Sequence, residues 1–176
     1  MTINQTTIAL AAVALLLAGC GEKKKEDVII TEKIVQKAPA QPVRMQDYTQ
    51  TKTVEWLGKE YRCEVERSAD DSLAMVKDEN GQKYYDNRIR LTIRRADNTV
   101  FFQRSFTKKS FDACLDDDYR ISGVLEGLVF DKAEGNSLRF AASVSHPQTD
   151  EYIPIVVMVS RTVSYTHLTL PTTAGV

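Results

Sequence analysis

Side chains that alternate with a period of two run through the middle of this chain and limit it to a β-rich fold, because only an extended backbone sends successive residues to opposite faces. Tyr61, Cys63 and Val65 alternate with Arg62, Glu64 and Glu66, and Ile89, Leu91 and Ile93 alternate with Arg88, Arg90, Thr92 and Arg94. Leu138, Phe140, Ala142 and Val144 make a third apolar face, and Ile153, Ile155, Val157 and Val159 make a fourth within Glu151 to Arg161. Turn residues connect these runs. Leu57-Gly58-Lys59 folds Lys52–Trp56 back onto Tyr61–Val65, and Lys132–Asn136 turns Val124–Phe130 into Leu138–Val144. Ala96-Asp97-Asn98-Thr99 leads into Val100–Phe106, since Asp and Asn bond their own backbone and tolerate left-handed dihedrals. His146-Pro147-Gln148-Thr149-Asp150 precedes the last strand. One segment departs from the alternation: Phe111, Cys114 and Leu115 follow Thr107 at helical spacing, which predicts a short helix capped by Thr107. The expected fold is a single antiparallel β-meander, sandwich or partial barrel of about seven strands with one short helix.

The two ends read differently. An apolar run from Ile8 to Ala18 closes on Leu17-Ala18-Gly19-Cys20, the order of a lipoprotein signal peptide over residues 1–19. A membrane-spanning helix needs roughly 20 apolar residues, so this run is too short to anchor the chain by itself. Cys20 is therefore the expected lipidation site and mature N-terminus, although Met1–Thr7 contains no Lys or Arg. Residues 20–48 mix charges with Pro39 and Pro42 and read as a flexible tether. Within it, Lys25-Glu26-Asp27 resembles the signal that sends some Gram-negative lipoproteins to the outer face of the outer membrane. The expected location is that membrane, in its periplasmic leaflet or at the cell surface. Residues 49–162 form the β-rich domain. Val163–Thr173 reads VSYTHLTLPTT and resembles a translated sequencing adapter, which places residues 163–176 outside the fold as a non-native tail. His167 falls in that tail, so His146 is left as the native imidazole, and a further strand is expected beyond Thr162.

Three stretches, KDENGQKYYDNRIRLTIRRADNTVFFQRSFTKKSF, LDDDYRISGVLEGLVFDKAEGN and LRFAASVSHPQTDEYIPIVV, resemble a family of small Gram-negative lipoproteins classed as a domain of unknown function, 4738-like. The similarity covers most of Trp56–Arg161. It implies a lipid-anchored β-rich domain and carries no catalytic residues across.

The chain's formal net charge of −1 lacks the basic excess that phosphate binding requires, so nucleic acid is not an expected partner. Arg88, Arg90 and Arg94 share one face of a strand and could hold an anionic ligand, against the simpler reading that they pair across strands with Glu64 and Glu66. Asp116, Asp117 and Asp118 offer hard oxygen ligands for calcium but lack the glycine and distal glutamate of an EF-hand loop, so they more simply serve as capping or solvated groups. Cys63 and Cys114 could form a disulfide in an oxidising compartment or remain buried thiols. His146 could act as a base oriented by Asp150 or Glu151, or be a plain turn residue. The aromatics Trp56, Tyr84, Tyr85, Phe101, Phe102 and Tyr119 divide between core and surface, and an outward ring could meet a sugar or a protein. Asp71-Ser72-Leu73 resembles an O-glycosylation acceptor at Ser72. No nucleophile elbow, phosphate loop or CxxC pair is present, and no cofactor is expected. These features favour a non-enzymatic envelope module that binds a partner protein or glycan. The alternative is a small hydrolase that works on envelope glycans through paired carboxylates, whose partners need no sequence spacing.

Overall fold

The computed structural model describes residues 40–162 and 165–169. Cys20, the signal segment and most of the tether lie outside the described residues. Strands β1 (Tyr48–Trp56), β2 (Lys59–Ala69), β5 (Asn87–Arg95) and β6 (Val100–Phe106) make one antiparallel sheet in the order β1-β2-β5-β6, and β3 (Val76–Lys77) and β4 (Lys83–Tyr84) make a separate ribbon. β7 (Val124–Glu134), β8 (Ser137–Ser145), β9 (Tyr152–Ser160) and β10 (Tyr165–Thr169) form the second sheet, in the order β10-β9-β8-β7. The sheets stay separate and share one core, so the domain is mainly β and a sandwich, not a closed barrel.

The expected hairpins form where local chemistry dictates them. Leu57 (φ 53°) and Gly58 (φ 69°) both take positive φ, which matches the right-handed twist of β1 and β2. Asn98 (φ 67°) does the same before β6, while Asp97 Oδ1 accepts from the Thr99 N–H at 3.0 Å. The β7–β8 turn is tighter than the sequence suggests, because the strands continue to Glu134 and Ser137 and leave only Gly135-Asn136 between them.

Four features correct the sequence reading. The polar stretch before β5 contains the β3–β4 ribbon, too short for alternation to reveal. The end of the segment read as a tether is docked, with the Val43 N–H donating to Lys83 O at 2.9 Å and the Tyr85 N–H to Val43 O at 3.0 Å. The expected helix is a 3-10 helix (Lys108–Cys114), and a second helix, α1 (Asp117–Ser122), follows it. Tyr165–Thr169, set outside the fold from sequence, pairs with β9 from Tyr165↔Val159 to Thr169↔Ile155 and occupies the edge where a further strand was expected.

Ile89, Leu91 and Ile93 from the first sheet and Leu138, Phe140, Val144, Ile155, Val157 and Val159 from the second are wholly buried in the shared core. Polar clasps cross between the sheets, among them two that tie connections to strands. The Trp56 indole N–H donates to Gly135 O at 3.0 Å. Asp86 Oδ1 accepts from the Leu125 N–H at 2.9 Å, while Asn87 Nδ2 donates to Leu125 O at 2.9 Å, so two adjacent side chains imitate a strand partner for β7.

Candidate functional site

β8 ends at Ser145, and the chain reverses through His146–Asp150 before β9. The His146 N–H donates to Glu151 O at 3.1 Å, the Thr149 N–H donates to His146 O at 3.3 Å, and Gln148 takes a φ of 63°. This turn fixes the imidazole against α1. Asp116 caps α1 by accepting from the Tyr119 N–H at 2.9 Å, and Asp117 and Asp118 lie in the first turn, where the helix dipole favours negative charge. Tyr119 consequently stacks on His146, with ring centroids 4.0 Å apart and planes 15° from parallel. His146 Nδ1 lies 3.4 Å from Glu151 Oε2 and Nε2 lies 3.5 Å from Asp118 Oδ2. Burial, then the charges of Glu151, Asp116 and Asp118, push the Tyr119 hydroxyl pKa up.

The turn from Asp78 to Gly81, between β3 and β4, supplies the third side. Asp78 Oδ1 accepts from the Asn80 and Gln82 N–H groups, each at 2.9 Å, and Oδ2 accepts from the Tyr84 hydroxyl at 3.1 Å. Together these elements enclose a cleft of about 400 Å3 whose lining includes Asp78, Glu79, Asn80, Asp118, His146 and Glu151. Ser122, Gln148 and Thr149 add hydroxyl and amide groups. The cleft therefore presents both donors and acceptors within a few ångströms. Nδ1 of His146 contacts Glu151 Oε2, whereas Nε2, 3.5 Å from Asp118 Oδ2, is buried without a hydrogen-bond partner among the described residues. The imidazole packed on Tyr119 thus serves as a fixed wall of the cleft more naturally than as a general base reaching a ligand.

The other sequence candidates go elsewhere. Arg88 donates to Asp70 at 2.5 Å, Arg90 pairs with Glu66, and Arg94 donates to Asn98 O at 3.3 Å. Two of the three cations of the Arg88, Arg90 and Arg94 face are thus matched by carboxylates, in keeping with the simpler pairing reading rather than an anion-binding stripe. Register corrects their partners: Glu66 stands opposite Arg90, but Glu64 stands opposite Thr92. Asp116, Asp117 and Asp118 diverge to the helix cap, to Arg120 at 2.5 Å and to the His146 cleft, and among the described residues no group of three or more potential ligands could hold a metal. Ser72 sits in an exposed turn, with its hydroxyl donating to Asp70 Oδ1 at 2.6 Å. That bond, with the Ser72 N–H and Arg88, draws the Asp70 pKa down to about 2.

Of the aromatic candidates, Trp56, Tyr84 and Phe102 are buried, Phe101 is half-buried against Trp56 and Tyr61, and Tyr85 lies under the Arg44 guanidinium at 3.9 Å. The outward rings of the two aromatic pairs thus already carry partners, Arg44 on Tyr85 and Trp56 and Tyr61 on Phe101. Cys63 is a free thiol, 1 % exposed in the core, so the Cys63–Cys114 bridge weighed from sequence does not form; Cys114 lies at the end of the 3-10 helix. Burial pushes the Cys63 thiol up to about 12. We therefore expect iodoacetamide at about pH 8 to spare Cys63 in the native protein and to label it after unfolding, since the thiolate is the nucleophile. Native-state labelling of Cys63 at the rate of an open thiol, read by peptide mass spectrometry, would contradict this placement.

Sequence reasoning paired His146 with Asp150 or Glu151, and the structure selects Glu151. It missed Asp118, which only tertiary packing brings to the imidazole, and Asp78, whose turn lies in the unrecognised ribbon. The described carboxyl with a raised pKa, Asp86, is shifted mainly by burial and does not line this cleft. Among known families, the one described as Domain of unknown function (DUF4738) matches residues 29–166. No curated protein matches the chain.

Proposed function

We propose that this chain, which belongs to the DUF4738 family, is a non-enzymatic binding module of the bacterial envelope that seats a glycan in the His146 cleft. The observation that carries the reading is the cleft itself: about 400 Å3 lined by carboxylates, amides, hydroxyls and an imidazole, a donor and acceptor set suited to a hydroxyl-rich ligand. The burial of His146 Nε2 away from the cleft's opening, with the ring stacked on Tyr119, supports binding over proton transfer. Lipidation at Cys20 would hold the domain at the outer membrane, in the periplasmic leaflet or at the cell surface. One acyl chain binds a membrane only marginally, so several chains on Cys20 are needed for a stable anchor.

The test uses the full chain with soluble peptidoglycan fragments and surface-glycan oligosaccharides, followed by calorimetric titration. Saturable binding that weakens by roughly tenfold in Asp118→Ala and in His146→Ala is the expected result. Glycan cleavage abolished by Asp118→Asn would replace the binding reading with the carboxylate hydrolase. Absence of both binding and turnover across these glycans would remove the glycan reading. In the native host, Cys20→Ala should release the protein from the membrane fraction, and an unmodified Cys20 in the mature protein would refute the anchor.

A further inference from the structure

The His146 cleft is acidic on each of its three sides. Asp78 and Glu79 come from the β3–β4 turn, Asp118 from α1 and Glu151 from the turn into β9, and among the described residues no lysine or arginine joins them in the lining. Lys77 and Lys83, paired across the ribbon beside the turn, lie outside it. Hydrogen bonding does not cancel this charge. Asp78 accepts from two backbone N–H groups and the Tyr84 hydroxyl, and Asp118 Oδ1 accepts from the Ser122 hydroxyl at 2.8 Å, all of them neutral donors. Glu79, Asp118 and Glu151 are exposed. Even a protonated His146, the one described lining residue able to turn cationic, would offset only one of the four carboxylates. The same field reaches the neighbouring Tyr119 hydroxyl, whose pKa is pushed up by burial and then by Glu151, Asp116 and Asp118.

A concave site lined by one sign of charge focuses its field inward and concentrates ligands of the opposite sign. A bare metal ion is a poor match, because the carboxylates stand on separate connections and among the described residues no group of three or more potential ligands could hold one. The better match is an organic cation large enough to span the walls. Asn80, Ser122, Gln148 and Thr149 stand among the carboxylates, so the same ligand meets amides and hydroxyls as well as negative charge. We propose that the cleft selects a glycan whose hexosamine units carry free ammonium groups, received by Glu79, Asp118 and Glu151, over N-acetylated or acidic sugars. This selectivity rests on the glycan reading of the cleft. N-acetylation removes the cation, and an acidic sugar would bring like charge against the carboxylates.

The probes are a β-linked glucosamine tetramer and its N-acetylglucosamine counterpart, each titrated calorimetrically into the full chain at about pH 6, where primary amines are protonated. The glucosamine tetramer should bind roughly tenfold more tightly, and its lead should shrink as salt rises from about 0.01 to 0.15 M, because exposed charges are screened. Glu79→Gln and Glu151→Gln should each cut the ratio of the two affinities by up to about fivefold, the scale of an exposed ion pair. Glu55→Gln removes the same charge from an exposed position on β1, outside the lining, and should leave the ratio unchanged. Equal affinity for the two tetramers, binding of neither, or a preference that survives the Glu79→Gln/Glu151→Gln double substitution would overturn the proposal. So would a preference that Glu55→Gln reduces as much as the cleft substitutions do. The glycan reading would still stand on binding of peptidoglycan fragments or surface oligosaccharides, and failure of every glycan in both sets would remove it together with this selectivity.

Discussion

Trp56→Ala should destabilise the domain by about 3–5 kcal/mol, the range for removing a large aromatic from a packed core. Trp56 is 3 % exposed, and its ring lies 5.2 Å from Tyr61 and 5.7 Å from Phe101, centroid to centroid. Its indole N–H also bonds Gly135 O, which ties the first hairpin of one sheet to the β7–β8 turn of the other. Truncation thus opens a cavity and cuts an inter-sheet bond at the same place. Trp56→Phe separates the two effects: it keeps most of the ring contact and loses the hydrogen bond, worth about 1 kcal/mol. Because the chain contains a single Trp, unfolding of the variants is best followed by circular dichroism in urea. A loss below about 1 kcal/mol for Trp56→Ala would mean that the indole is not an anchor of this core.

What the sequence reveals about this fold follows from how local each signal is. The β1–β2, β5–β6 and β7–β8 hairpins are legible because alternation and turn residues lie within one short window. The β3–β4 ribbon is not, since two-residue strands carry no period, and its order comes from Asp78 bonding within its own turn and from Val43 arriving from far upstream. Parity alone placed Arg88, Arg90 and Arg94 on an outward face. Their partners depended on register and on chain geometry past the end of β2, which brings Asp70 to Arg88 and leaves Glu64 opposite Thr92. For the acidic triplet the capping role is legible because it is local, whereas the six-residue helix it caps gives too little periodicity to announce itself. The His146 cleft is the least legible feature, because Asp78, Asp118 and Glu151 lie on three separate connections that meet only after the sheets have packed.

The clasp formed by Asp86 and Asn87 gives a second large effect, with a sign that distinguishes it from ordinary core packing. Asp86 is 5 % exposed, and its Oδ1 accepts from the Leu125 and Asn87 N–H groups at 2.9 and 2.8 Å. Asp86→Leu leaves two buried donors without this acceptor and should cost about 2–4 kcal/mol. Asp86→Asn retains a carbonyl acceptor of the same shape and should be far milder. Burial raises the Asp86 pKa more than the two N–H donors and Lys108 lower it. The folded state therefore holds the Asp86 proton more tightly than the unfolded state does. Stability from this group is full below the ordinary carboxylate value and is lost as pH rises from there through the raised folded value. Asp86→Asn should remove that downward slope, so its deficit against the parent protein should be larger at acid pH than at neutral pH. Urea unfolding of both proteins across about pH 3–7 tests the sign, and a deficit that grows as pH rises would show that the folded protein prefers the Asp86 carboxylate to its acid form.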